Sequence, residues 1–206
     1  MRLSKVFAAA VLAVSMFALT ACGEAKVSVT PVHGTISGTT YTNDSVGLKI
    51  EAPETWTLLG DADLTAYAGV DLSTVSDFKA YIDEKQAVID AFMFAENGAD
   101  NVNVAIEKKN SVTKLLNAQK YAEAAPETLK NALEQAGLSD VNVTVSSVKT
   151  NGGELPGCKT TATLNGMNVY QANGIYSIGD YFVTITATSY DENTCDSYFE
   201  YVTVTK

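Results

Sequence analysis

The sequence predicts an α+β fold, a single domain built on an antiparallel β-sheet flanked by helices. Three observations carry this. Apolar and polar residues alternate over several short stretches between Val46 and Thr188, which is the period of strands. Tight turn signals, Asn97-Gly98, Asn165-Gly166 and Gly179-Asp180, separate several of these stretches, and connections so short join antiparallel neighbours. Only Asn117 to Ala136 sustains apolar residues at helical spacing over a long run.

The chain opens with an export signal: Arg2 and Lys5 supply positive charge, Val6 to Ala18 is apolar, and small residues follow. Its apolar part, interrupted by Ser15, is shorter than the ~20 residues a spanning helix needs. Leu19-Thr20-Ala21-Cys22 resembles the lipobox of bacterial lipoproteins, which implies a diacylglyceryl group on the Cys22 sulfur and cleavage before it. Two acyl chains give stable anchoring where one gives marginal binding. The expected organisation is a leader over 1–21, the lipidated cysteine and a flexible tether over 22–40, and one folded domain over 41–206. His33, the single histidine, falls in the tether and reads as solvent-exposed.

Loss of Arg2 and Lys5 with the leader takes the formal net charge from −10 to −12. Such a balance argues against nucleic-acid binding, which needs a basic footprint, and against docking on anionic lipid through charge. Apolar residues make up 46% of the chain, enough for a core.

Within the domain, Val46, Leu48, Ile50 and Ala52 alternate as a half-buried strand that Pro53 stops, and Trp56 reads as core packing. Asp61-Ala62-Asp63 lacks the further oxygen ligands of a calcium loop, so it reads as a solvated turn. A short helix follows, with Ser73 or Thr74 as cap and Val75, Phe78 and Ile82 buried. From Ala87 to Phe94 apolar residues occupy both parities, so this strand is expected to be covered on both sides. Its partner carries Val102, Val104 and Ile106 inward, against Asn103, Ala105 and Glu107. In the main helix Pro126 is either a kink or a fresh start, and Gly137-Leu138 is a stop. Val141 to Val145, Cys158 to Leu164, Val169 to Ile178 and Tyr181 to Thr188 complete the strands. Tyr67, Tyr170, Tyr176, Tyr181 and Tyr190 are candidates for a contact surface, with sheet packing as the alternative.

"YTNDSVGLKIEAPETW" from Tyr41, "LEQAGL" from Leu133 and "GMNVYQANGIYSIGDYFVTITATS" from Gly166 resemble lipoproteins of Gram-positive bacteria that are similar to the PsbP-like fold. That resemblance covers Tyr41 to the C-terminus. It implies an α/β/α sandwich and a role as an extrinsic, non-catalytic subunit at a membrane, with no catalytic motif to carry over.

Cys158 shares strand parity with Ala162 and Leu164, and Cys195 shares a helical stripe with Tyr198, Phe199 and Val202, so both face the core. In an exported protein the pair reads as a disulfide, contributing ~3–4 kcal/mol in the chain-entropy model; two buried thiols are the alternative. No G-x-S-x-G, H-E-x-x-H, phosphate loop or C-x-x-C is present, so no enzyme, cofactor or metal is expected. The expected function is a lipid-anchored binding or accessory protein on the extracytoplasmic face, with an envelope protein or ligand as partner. A small-ligand receptor of an importer is the alternative, and a carboxylate-dependent hydrolase a more distant one.

Overall fold

The computed structural model describes residues 29–68 and 71–205. It has the expected α+β architecture, with two antiparallel sheets. The strands are β1 (Thr35–Ser37), β2 (Thr40–Asn43), β3 (Leu48–Glu51), β4 (Thr57–Leu58), β5 (Ala87–Phe94), β6 (Asn101–Lys108), β7 (Ser139–Thr150), β8 (Gly153–Leu164), β9 (Met167–Ile178), β10 (Tyr181–Ser189) and β11 (Val202–Val204). The helices are α1 (Asp61–Ala68), α2 (Phe78–Lys85), α3 (Ala118–Ala124), α4 (Pro126–Gln135) and α5 (Glu192–Ser197), with 3₁₀ turns at Leu72–Thr74, Thr113–Leu115 and Tyr198–Tyr201. A seven-stranded sheet runs β4-β5-β6-β10-β9-β8-β7, and a four-stranded one runs β1-β2-β3-β11.

The large sheet divides the molecule. On one face Tyr176, Val183, Ile185, Val102, Val104 and Ile106 pack with Tyr41, Leu48, Ile50, Val202 and Val204 of the small sheet and with Phe78 and Ile82 of α2. On the other face α3 lies on β8 and β9 and α4 on β7, with Tyr121 stacked on Phe182 at 4.0 Å between ring centroids. Sequence alone did not anticipate the second sheet: Val46 to Ala52 reads as part of one sheet, whereas β3 pairs with β2 and with the C-terminal β11. Gly174 permits the close packing of this half, since a Cβ there would meet Val148 Cγ2 at 2.7 Å and the Phe199 ring at 3.0 Å.

Pro126 begins α4 at a position where its missing N–H costs nothing. At the other end Leu138 N donates to Leu133 O and Gly137 N to Glu134 O, with Gly137 at φ +94°, a Schellman stop. Asn165-Gly166 joins β8 to β9 with both residues at positive φ, a tight hairpin turn. The Asn97-Gly98 connection is longer, spanning Ala95 to Asp100, because Asn97 Oδ1 accepts from the Ala99 and Asp100 N–H groups and closes a wider loop.

Several expectations are corrected. Asp77 caps α2, accepting from Ala80 N at 2.9 Å, and Asp71 caps the 3₁₀ turn before it; Ser73 and Thr74 lie within that turn. Asp61 and Asp63 occupy the first turn of α1, where their charge suits the helix dipole. Residues 32–40 belong to the folded body, because β1 pairs with β2 and His33 and Gly34 are bonded to β5. Folded structure therefore starts before Tyr41.

The expected Cys158–Cys195 disulfide is absent, and both residues are free buried thiols. Cys158 points to the helical face, against Ala125 and Leu129, with its Sγ 3.5 Å from Ala122 O. Cys195 packs on the opposite face, where its neighbour Asp196 pairs with Lys159. The paired backbones of β8, β9 and β10 stand between them. Parity and helical stripe each give an inward direction, but two inward directions on opposite faces of a sheet do not meet.

Candidate functional site

Two clusters of buried polar side chains occupy the two faces of the large sheet, and their hydrogen-bond states differ. The first centres on Asp90, which is 1% exposed. In the β5–β6 register Ile89 pairs with Ala105 and Ala91 with Val104, so Asp90 is the extra residue of a bulge. Bulges re-aim side chains. This one turns the carboxylate toward the small sheet, where His33 Nδ1 donates to Oδ1 at 2.6 Å and Asn43 Nδ2 to Oδ2 at 2.8 Å. Gly34 N donates at 3.2 Å, and the Tyr41 hydroxyl makes a very short bond to the same oxygen. His33 Nε2 faces Asp61 Oδ1 at 3.0 Å.

Burial alone would lower the His33 pKa, but hydrogen bonds and charge from Asp90, then Asp61, overrule it and raise the value to about 9. The imidazolium then donates from both nitrogens and has no lone pair with which to act as a base. Asn43 also donates to Val32 O, and Ser45 Oγ accepts from Val32 N. The cluster is thus a clamp that fixes residues 32–34 to the sheet. His33 is therefore not a solvent-exposed tether residue.

The second cluster lies on the helical face. Strand register aligns Asn101, Thr188, Gln171 and Thr160 in one row across β6, β10, β9 and β8, and Asn103, Thr186 and Asn173 in the next. All seven are at least nine-tenths buried. Glu107, 7% exposed, lies farther along the same side of β6. Within the rows, Asn173 Nδ2 donates to Thr186 Oγ1 at 2.8 Å and Gln171 Nε2 to Thr188 Oγ1 at 3.1 Å. Asn101 Oδ1, both amide atoms of Asn103, Thr160 Oγ1 and Glu107 Oε1 have no hydrogen-bond partner among the described residues. Each such group costs about 1–3 kcal/mol, and natural folds keep few of them.

Glu107 Oε2 accepts from the Tyr121 hydroxyl at 2.6 Å. Burial pushes the Glu107 pKa up to about 7, outweighing the lowering effect of that bond. A carboxyl poised near neutrality can present an acceptor or a donor.

Alternation along β6 sets Asn103 and Glu107 opposite its inward residues. Their cover is signalled in the sequence by β5, since a strand paired to a doubly covered neighbour shares that cover. Cys22, the expected lipidation site, lies outside the described residues. The tyrosines resolve in favour of packing at Tyr176 and Tyr181, which are 3% and 1% exposed.

Among the described residues no group of three or more His, Cys, Asp or Glu is arranged to hold a metal ion, and no helix is long and apolar enough to cross a membrane. No family model matches the chain, and no curated protein matches it. Among solved structures it is similar to LpqN of Mycobacterium tuberculosis, described as involved in cell envelope biogenesis. Identity is 14% and the TM-score 0.46, over 87% of this chain and 91% of that one.

Proposed function

We propose that this chain is a non-catalytic binding or accessory protein, held at the extracytoplasmic face of the cell membrane by a diacylglyceryl group on Cys22. The observation that carries the binding reading is the pair of polar rows on the helical face, where hydrogen-bonding capacity is buried and unspent. A fold that keeps such groups at a cost to its stability is holding them for something other than stability. The non-catalytic part rests on the single histidine, whose nitrogens are both committed to carboxylates.

One experiment addresses both parts. The purified exported protein is incubated with cell-wall fragments, glycans and peptides while binding and products are followed together. Saturable binding without product supports the reading. Sustained turnover that disappears on replacing one carboxylate overturns it. For the anchor, Cys22→Ala expressed in a lipidating host should lose acyl label and leave the membrane fraction; retention of both rejects the lipid attachment.

A further inference from the structure

The unspent atoms on the helical face define what could satisfy them. Acceptors are in excess: Asn101 Oδ1, Asn103 Oδ1, Glu107 Oε1 and the lone pairs of Thr160 Oγ1, against the donors Asn103 Nδ2 and the Thr160 hydroxyl. An anion such as phosphate brings mostly acceptors, and it would meet the Glu107 carboxyl in a chain of net negative charge. An ammonium group brings donors only and would leave Asn103 Nδ2 unpaired. An apolar ligand would leave every one of these atoms unpaired. A hydroxyl brings one donor and two lone pairs, and several hydroxyls in a row match an excess of acceptors interspersed with donors.

The layout sets a size as well. Neighbouring strands lie ~4.8 Å apart and residues two apart on a strand ~6.8 Å, so the row from Asn101 to Thr160 spans roughly 14 Å across β6, β10, β9 and β8. That is longer than one sugar ring. On the β5 side the row through Asn101 meets Phe94 and the row through Asn103 meets Phe92, so an aromatic pair borders the rows.

We propose that these two rows form a binding site for an uncharged, hydroxyl-rich ligand of oligosaccharide type. The proposal rests on the binding-protein reading above and names its site and ligand class. Asn103 supplies an adjacent donor and acceptor, Asn101 and Thr160 mark the two ends of the longer row, and Glu107 extends the site along β6. Gln171, Asn173, Thr186 and Thr188 lie between these positions, and their mutual hydrogen bonds hold the floor of the site in register.

The test uses the exported protein, purified in a detergent without a sugar headgroup, with maltotriose, chitotriose, spermidine and inorganic phosphate as probes. Binding is measured by calorimetry and stability by thermal unfolding, for the parent and for Asn103→Leu and Thr160→Val. At least one saccharide should bind saturably, weakened tenfold or more by each variant, while the Tm of each variant stays level or rises. That opposition separates a ligand-binding role from a structural one, since a structural polar group loses stability when removed. Three results overturn the proposal: no saturable saccharide binding, preferential binding of spermidine or phosphate that Asn103→Leu abolishes, or variants that lose stability and leave saccharide binding unchanged. If no saccharide binds but crosslinking in intact membranes captures a specific protein partner, the oligosaccharide site is rejected and the binding-module reading stands; sustained turnover rejects the latter.

Discussion

The two buried polar clusters have similar depth and opposite chemistry. At Asp90 four protein donors converge on one carboxylate, and the surrounding chain, from Val32 to Ser45, is organised to deliver them. Across the sheet, Asn101, Asn103 and Thr160 are as deeply buried yet keep unspent atoms. A saturated buried network rigidifies, and an unsaturated one costs stability. Substitution should therefore destabilise the first cluster and stabilise the second.

The largest effect is expected at Asp90. Asp90→Ala would leave the Tyr41 hydroxyl, the Asn43 amide and the Gly34 N–H without their acceptor, and the His33 imidazolium with Asp61 alone. Removing one partner of a buried charged pair costs about 3–5 kcal/mol, which urea unfolding should register and thermal unfolding should show as a fall of roughly 10 °C. A change below about 1 kcal/mol would remove the distinction between the clusters.

Next come the pH dependences, which share a sign and differ in window. His33 titrates near 9 when folded, above its ordinary ~6.5. Its contribution is therefore complete below ~6.5 and is lost as pH rises through about 9. His33→Gln should cost ~1–3 kcal/mol at pH 6 and little at pH 10. Glu107, raised by burial to about 7, favours its protonated form when folded. Its contribution is full below ~4.5 and is lost as pH rises through about 7. Glu107→Gln should leave stability at pH 4 nearly unchanged and add ~1–3 kcal/mol at pH 8. Stability curves of the two variants against pH, measured beside the parent, would separate the two sites without any ligand.

At Asn103 the expected gain is smaller. Asn103→Leu removes two unpaired polar atoms from a position 1% exposed, so stability should rise by ~1–2 kcal/mol. A fall of similar size would mean that the amide serves the fold, and the contrast with Asp90 would collapse.

What was legible in the sequence was local. Gly137-Leu138 and Asn165-Gly166 act through their own φ angles and nearest neighbours, so composition reveals them. Pro126 left a kink and a fresh start open, and in the structure α4 starts at it. His33 was not legible as a clamp because its partners are 28 and 57 residues away. The clue was Asp90 itself, a carboxylate within the apolar run Ala87 to Phe94, which burial obliges to find donors. The polar rows were further from view. Alternating Thr and Asn in a strand is also the pattern of a solvated sheet face, and only the register of β6, β10, β9 and β8 together shows that their polar positions align under cover.

The smallest effect expected is none, and it tests the division of the molecule on which the comparison depends. If the large sheet separates two independent faces, Cys158 and Cys195 lie on opposite sides of it and cannot join without dismantling β8, β9 and β10. Burial raises the Cys158 thiol to about 11 and the Cys195 thiol to about 12, so neither supplies much thiolate near neutral pH for exchange or alkylation. Alkylation of the native protein without reductant should therefore be slow at both, and unfolding without reductant should make both fully reactive. Addition of reductant should leave the unfolding midpoint unchanged, whereas a disulfide closing this loop would have contributed ~3–4 kcal/mol. A joined Cys158–Cys195 peptide in a non-reduced digest would place the two thiols on the same side, and would dissolve both the two-faced architecture and the assignment of the polar rows to a face of their own.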